Sequence, residues 1–356
     1  MIQPHCHELE WINAQCEKMR TGNGDIVERS IYAFNLLEGL VETGLEFVFK
    51  GGTSLLLHFD EPRRLSIDID IVSSSDQAIL EKSLTAIVDA RPFTRWEEQD
   101  RGADRMPKRV HYKLFYSSPI MNGEEMPVLL DVVTEPNVIK DLVAKPIVAK
   151  FLEVAEPLTV MVPSANALLG DKLTAYAPNS IGVRLNENYS QQVIKQLFDV
   201  AQLYDIVTDT SAVAEANRAS YEAEKAYRDL TLSYDEYLED VIQTSHQLCS
   251  IDLKGVQETE ATRLMRRGIN QIGSHLVNTS FRLAQEAKIA AAKAAALAVH
   301  LGQGKIVEQL PEFDMANVGE LKDYTVNENL RPLDRLKGGN PEAYFYWKET
   351  NEIRKS

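Results

Sequence analysis

The chain has 356 residues, 44% of them hydrophobic, which is enough for two domains or for one large lobe with a helical extension. Its formal net charge of −15 argues against a protein that coats nucleic acid with its whole surface, but screening over about 8–10 Å allows a local basic groove. No apolar run reaches 18 residues, and the first residues, MIQPHCHELEW, lack the basic and apolar regions of a secretion signal, so we expect neither a membrane span nor secretion. The three cysteines (Cys6, Cys16, Cys249) lack metal-ligand spacing, so we expect a cytoplasmic protein with reduced thiols.

The first half of the chain alternates predicted helices and strands. Apolar residues at helical spacing, followed by Gly44, predict a helix over residues 25–43. A short apolar run predicts a strand at 47–50, which breaks at Gly51-Gly52 and leads into a short helix at 53–59. Further predicted elements are strands at 66–73, 110–116 and 126–133 and a helix at 76–90.

The second half is predicted to be mainly helical. Ser164 is a good N-cap for a helix in which Gly170 costs about 1 kcal/mol relative to Ala, so another element should pass close to it. Later helices are expected at 191–206, 214–226, 234–248 and 284–301. We expect loops and short helices over 311–356, with the aromatic residues at 344–347 packing rather than stacking on bases.

The segment 47–72 carries the strongest indication of function. A glycine pair after a strand lets the backbone approach a ligand, and its N–H groups can hold an anion. The sequence Ile67-Asp68-Ile69-Asp70-Ile71 alternates, so in a strand its two carboxylates share one face, with the Cα atoms of Asp68 and Asp70 about 6.6 Å apart. Such a pair can bind Mg²⁺, although a half-buried strand with a solvated acidic face is the plainer alternative. The candidate phosphate cradle consists of Gly51, Gly52, Thr53 and Ser54.

This arrangement resembles the DNA polymerase β-type nucleotidyltransferase superfamily. More narrowly, KGGTSL followed by RRLSIDIDIV is similar to the AbiEii/AbiGii toxin family, which includes the MenT-like toxins, with the best match over about residues 45–205. The resemblance implies an α+β fold with a polymerase β-like nucleotidyltransferase mixed sheet flanked by helices. The expected domains are a nucleotidyltransferase domain with N-terminal helices at 1–205 and a mainly helical C-terminal domain at 206–356.

The resemblance also implies further site residues. Asp131 matches the third carboxylate of the superfamily, on a strand beside the Asp-x-Asp strand; a helix cap or a structural salt bridge is its alternative. Lys172, in Asp-Lys-Leu-Thr-Ala, matches a lysine that faces the nucleotide phosphates, unless it is a solvated lysine on an amphipathic helix. The family pattern Lys-Asp-x-x-Asp is met by Lys195 and Asp199, with Gln196 in place of the first Asp, and these two could form a plain surface ion pair.

The expected activity is Mg²⁺-dependent nucleotidyl transfer from an NTP. Asp68, Asp70 and Asp131 would hold two Mg²⁺ ions, and Lys172 would neutralise charge on the leaving pyrophosphate. The acceptor is RNA, the tRNA 3′ end in particular, or alternatively a protein hydroxyl, and a catalytically silent interaction module is the third reading. Two basic clusters favour RNA slightly (Arg101, Arg105, Lys108, Arg109 and Lys113; Arg263, Arg266 and Arg267). The family implies a cognate antitoxin, whether a direct inhibitor, a modifying kinase or a transcriptional repressor.

Overall fold

A computed structural model describes residues 1–99, 106–277, 282–304 and 309–355. Its α-helices are α1 (Leu9–Lys18), α2 (Gly24–Glu42), α3 (Gly51–Ser54), α4 (Gln77–Ala90), α5 (Ala165–Ala175), α6 (Ser190–Tyr204), α7 (Thr210–Tyr227), α8 (Tyr234–Cys249), α9 (Glu260–Ile272), α10 (Leu283–Gly302), α11 (Val318–Leu321), α12 (Leu336–Gly339) and α13 (Pro341–Lys355). Its strands are β1 (Val48–Lys50), β2 (Ile69–Val72), β3 (Arg95–Glu98), β4 (Arg109–Ser117), β5 (Glu125–Val133), β6 (Leu142–Pro146) and β7 (Thr159–Pro163). Short 3₁₀ segments are Pro4–His7, Leu55–Leu57, Gly273–His275, Met315–Asn317 and Glu328–Arg335.

The chain divides into two compact units. The first contains Met1–Ser164 and the segment from Ser274 to Val277; the second contains 165–273 and the described chain from Arg282 onward. The predicted boundary at 205/206 therefore falls inside the second unit, because α5 packs against α6 and α7 and α6 packs against α9 and α10.

The first unit is built on a five-stranded mixed sheet in the order β1-β2-β5-β4-β3. Only β2 and β5 are parallel; the other neighbours are antiparallel. Alternate residues of β4 and β5 are buried, as expected for a strand with one face against the core. Helices α2 and α4 cover this apolar face: Tyr32 of α2 stacks on Tyr116 of β4 at 3.6 Å between ring centroids, and Gly39 of α2 lies against Ile87 of α4.

The second unit is a helical body around α10. This alanine-rich helix is buried along most of its length and packs against α6, α8 and α13. Its small side chains allow close approach of the neighbouring helices. No helix in the described part of the chain is both long and apolar enough to cross a membrane.

Most predicted elements are present, with boundaries shifted by up to four residues, but two predictions need correction. The predicted strand 66–73 is paired only over Ile69–Val72, because the preceding chain pairs elsewhere: Leu65 N–H donates to the His275 carbonyl. Residues 311–356, predicted as loops and short helices, include a helix of 15 residues, α13, which is longer than expected and begins with Pro341. Its Tyr344, Tyr346 and Trp347 are buried, which confirms their predicted packing role.

The prediction of a close neighbour at Gly170 is confirmed. A β-carbon at this position would lie 2.5 Å from the carbonyl oxygen of Val213 and 2.7 Å from the amide nitrogen of Asn217, both in the backbone of α7. The Asn217 side chain also donates a hydrogen bond to the Gly170 carbonyl. The missing side chain therefore sets how closely α5 and α7 pack.

We expect Gly170→Ala to lower the free energy of unfolding by about 1–3 kcal/mol, because overpacking outweighs the better helix propensity of Ala. Gly338→Ala in α12 is the control, since a β-carbon at that position would meet nothing within 4 Å. Urea unfolding of both variants measures the effect. Equal stability of the two variants would show that α7 moves away without cost.

Candidate active site

Four side chains form a row across the face of the sheet opposite α2 and α4. The register pairs Lys50 of β1 with Asp70 of β2, Asp70 with Asp131 of β5, and Asp131 with His111 of β4. Paired residues on neighbouring strands point to the same face, with strands about 4.8 Å apart. We call this set, Lys50, Asp70, Asp131 and His111, the polar row.

The third predicted acid thus lies directly beside the Asp strand. Asp70 and Asp131 occupy paired positions in a parallel ladder, so their carboxylates emerge on one face. Two acids in this relation repel each other unless a cation or donor lies between or beside them. On the other side of Asp131, the Nδ1 atom of His111 lies 2.6 Å from its Oδ1 atom. Both side chains are mostly buried, 15% exposed for His111 and 20% for Asp131.

The glycine turn is fitted closely to Asp70. Gly51 has φ +81°, a left-handed conformation that favours glycine, and a β-carbon there would lie 2.0 Å from Asp70 Oδ2. At Gly52, a β-carbon would lie 2.7 Å from Nη2 of Arg64, whose side chain is buried. The first glycine therefore makes room for a carboxylate and the second for a guanidinium.

Thr53 and Ser54 act inside the turn. The Thr53 hydroxyl donates to the carbonyl of Asp68 at 2.5 Å, and the Ser54 hydroxyl donates to the carbonyl of Gly51 at 3.0 Å. Both side chains are fully buried. Because each hydroxyl proton is already used, these residues could reach a phosphate only through their backbone N–H groups. Thr53 instead ties the turn to the segment that carries Asp68.

The donor chemistry of the polar row fits a divalent cation in part. Across the described ranges, no group of three or more His, Cys, Asp or Glu side chains is arranged to hold a metal ion, so the three predicted acids do not form a ready cage. Asp68 lies just before the first paired residue of β2. Mg²⁺ commonly uses only one or two protein carboxylates and completes its shell with water and substrate phosphates. Asp70 and Asp131 supply such a pair.

The second unit holds the other two predicted residues together. Lys172 Nζ lies 3.3 Å from Asp199 Oδ2 and donates to Gln196 Oε1 at 3.1 Å. Both charged side chains are buried, 7% and 2% exposed. Lys172 is therefore not a solvated lysine, and Asp199 is not part of a plain surface pair. Gln196, which replaces the family's first Asp, completes this buried contact.

Acidic side chains lie beside most of the second basic cluster. Arg266 pairs with both Asp252 and Glu258, and Arg263 lies 3.8 Å from Glu260, so the second cluster is largely balanced. In the first cluster, Arg101 and Arg105 lie outside the described residues. Its other members, Lys108, Arg109 and Lys113, are at or near the start of β4; Arg109 and Lys113 share a face with His111.

Sequence reasoning missed His111 and did not assign a role to Lys50. Only the register of the paired strands places these two residues beside the predicted acids, and no local sequence pattern specifies that register. His58, which follows the Leu55–Leu57 turn, is another possible cation in this segment of the chain, but burial, aided by Lys145, lowers its pKa to about 4. It is therefore neutral near pH 7 and does not serve as a phosphate-binding cation.

Comparisons with known proteins identify the family. A family model described as the nucleotidyl transferase AbiEii toxin of type IV toxin–antitoxin systems matches residues 35–301. Two solved structures are similar at low identity. JHP933 from Helicobacter pylori has 14% identity and a TM-score of 0.45, and the match covers 78% of this chain and 95% of that one. MenT4, a nucleotidyltransferase toxin from Mycobacterium tuberculosis, has 15% identity and a TM-score of 0.48, with 90% and 94% covered.

The search of curated proteins gives no significant match. The family match spans well over half of the chain, including β1, the glycine turn, the polar row and α5 to α9. This confirms the resemblance drawn from the glycine turn and the Asp pair. The five-stranded mixed sheet with its flanking helices agrees with the expected α+β fold class. The chain belongs to the AbiEii family of nucleotidyltransferase toxins of type IV toxin–antitoxin systems.

Proposed function

We propose that this toxin transfers a nucleoside monophosphate from an NTP to RNA in the cytoplasm, at the tRNA 3′ acceptor end, with Mg²⁺ at the polar row. The observation that carries the proposal is the direct pairing of Asp70 with Asp131 beside a left-handed glycine. Asp70, Asp131 and, from the segment just before β2, Asp68 would hold one or two Mg²⁺ ions with the triphosphate. Bound Mg²⁺ supplies charge stabilisation for the entering and leaving oxygens.

The chain's own residues would prepare the triphosphate for this reaction. The backbone N–H groups of Gly51, Gly52, Thr53 and Ser54 would donate to the phosphates from the face of the turn that Asp70 and Arg64 leave open. The buried guanidinium of Arg64 beside Gly52 would add a positive charge at the same turn. Asp131 would lie near the acceptor hydroxyl, where its carboxylate could take the proton.

RNA is favoured as acceptor by the exposed basic start of β4. Lys108 and Arg109 are exposed, and Arg109 and Lys113 lie on the face of the polar row. The neutralised second cluster adds little to this argument. An antitoxin encoded with the toxin would be the regulatory partner, as the family implies.

A labelling experiment separates the possible acceptors. The protein is incubated with Mg²⁺, each α-³²P-labelled NTP in turn, and either total RNA or RNA-free lysate protein. Label in tRNA that disappears when periodate oxidation has destroyed the 3′ terminal diol supports the proposal. Label in protein only would assign a protein NMPylation activity instead, and no label with any NTP would leave a silent interaction module.

Lys172 is proposed to neutralise the triphosphate, held in place by Asp199. A lysine fixed by a buried carboxylate and an amide has little rotamer freedom left to lose when it meets a phosphate. We expect Lys172→Met to raise KM for the NTP and lower kcat/KM by about 10- to 100-fold, with partial recovery in Lys172→Arg. Steady-state kinetics with the labelled NTP measure this.

Lys293→Met is the matched control. Lys293 is an equally buried lysine of the second unit, paired with Asp205 and lying over the rings of Tyr204 and Tyr346. Both changes remove a buried cation that pairs with an acid, so both should lower Tm. Only Lys172→Met should change KM; equal KM values in the two variants would remove Lys172 from the nucleotide site.

A further inference from the structure

We propose that His111 is a positioning residue that fixes the carboxylate of Asp131 for metal binding, an inference that rests on the proposed function. Nothing in the sequence motifs marks His111. It enters the site because β4 and β5 pair antiparallel with His111 opposite Asp131. The contact between Nδ1 and Oδ1, at 2.6 Å, is short and lies within a largely buried pair.

The chemistry of the contact fixes its direction. An ionised carboxylate can only accept hydrogen bonds, so the proton between the two atoms belongs to Nδ1 of the imidazole. Charge-assisted hydrogen bonds of this kind are among the stronger ones in proteins. The bond therefore holds Asp131 in one rotamer, with Oδ1 directed away from Asp70 and toward β4.

The position of Asp131 explains why such an anchor is needed. Its neighbour on the other side is Asp70, a like charge in the paired position of a parallel ladder. Without a donor from β4, repulsion would favour rotation of the two carboxylates away from each other. His111 offsets that repulsion before a cation arrives. Groups that orient metal ligands in this way typically change metal affinity or activity by about 10–100-fold when removed.

The test compares replacements of His111 that separate the effect of losing the Nδ1 hydrogen-bond donor from the effect of changing the side-chain volume. His111→Phe keeps a ring of similar size but lacks the Nδ1 donor. His111→Asn places an amide N–H near the position of Nδ1, whereas the longer side chain of His111→Gln places it further out. We expect His111→Phe to weaken Mn²⁺ binding about 10-fold or more and to lower kcat by about 10–100-fold. His111→Asn should recover a large part of both the Mn²⁺ affinity and kcat, and His111→Gln should recover little of either.

Two readouts and one control make the outcome decisive. Mn²⁺ binding to the protein without nucleotide is measured by electron paramagnetic resonance, and transfer is measured with the labelled NTP. His5→Phe is the control, because His5 also contacts an acid, Glu153 at 3.2 Å, but at an exposed site of the same unit. Equal Mn²⁺ affinity and kcat in wild type, His111→Phe and His5→Phe would overturn the inference.

The same experiment distinguishes failure of the inference from failure of the proposed function. If wild type transfers no nucleotide to any acceptor, the proposed function fails, and Mn²⁺ binding alone then tests His111. If wild type is active and His111→Asn is no better than His111→Phe, the Nδ1 donor has no role and the positioning inference is wrong.

Discussion

Asp70→Asn is expected to lower the rate of nucleotidyl transfer by about three orders of magnitude, corresponding to about 4 kcal/mol of transition-state stabilisation. The change keeps the shape of the side chain but removes the charge that would hold Mg²⁺ next to Asp131. Transfer of α-³²P-labelled nucleotide to RNA, measured at saturating Mg²⁺, gives the rate. Transfer within a factor of about ten of wild type would count heavily against the site.

Stability should respond far less than activity. Asp70 is paired with Asp131 on one side and with Lys50 on the other, so loss of its charge removes a repulsion and an attraction together, and we expect Tm to be nearly unchanged. Asp76→Asn is the control: Asp76 lies six residues later in the same segment, is exposed and makes no side-chain cap to α4. It should leave both transfer and Tm unchanged. A large fall in Tm for Asp70→Asn alone would mean that lost activity reflects unfolding.

The sequence was sufficient for the elements that form the site but not for their alignment. The alternation around Asp68 and Asp70 and the aliphatic run around Asp131 predicted two strands with acids on one face. Which residue of β5 pairs with Asp70 depends on the register of strands about 60 residues apart, and no local pattern encodes it. His111 and Lys50 therefore became site residues only once the register was known.

Tertiary contacts also determine whether a given side chain is buried and where an element begins. Lys172 was correctly placed in a helix, but its burial depends on α6, which brings Asp199 and Gln196 to it. The length of β2 was overestimated because the segment before it pairs with residues near His275, more than 200 positions away. The C-terminal segment was expected to form loops and short helices, and the length of α13 was underestimated because Gly338, Gly339 and Pro341 indicated interruptions, although a proline at the first position is common in helices.

Gly51→Ala is expected to lower transfer by about 100-fold or more, with a smaller loss of stability. The new methyl group would lie 2.0 Å from Asp70 Oδ2, which is too close for both atoms to keep their positions. Rotation of the Asp70 side chain moves Oδ2 and Cγ away and relieves most of the clash, whereas its Cβ, 2.9 Å from the new methyl group, can shift only with the backbone. The rotation, however, moves Asp70 out of the polar row, and a misplacement of about 1 Å at a reacting centre can cost about 10²-fold in rate.

Gly44→Ala separates the clash from the backbone strain. Gly44 has nearly the same φ, +74°, but a β-carbon there would meet nothing within 4 Å. Both variants should lose about 1–2 kcal/mol of unfolding free energy from the left-handed conformation, measured by urea unfolding, and only Gly51→Ala should lose activity.

The Asp70→Ala background provides a second check, because it removes Oδ2 and Cγ from the clash and leaves only the Asp70 Cβ, at 2.9 Å. In that background the destabilisation by Gly51→Ala should shrink toward the Gly44→Ala value. If it stays the same, the glycine is required by its backbone conformation alone, and its close fit to the carboxylate has no energetic consequence.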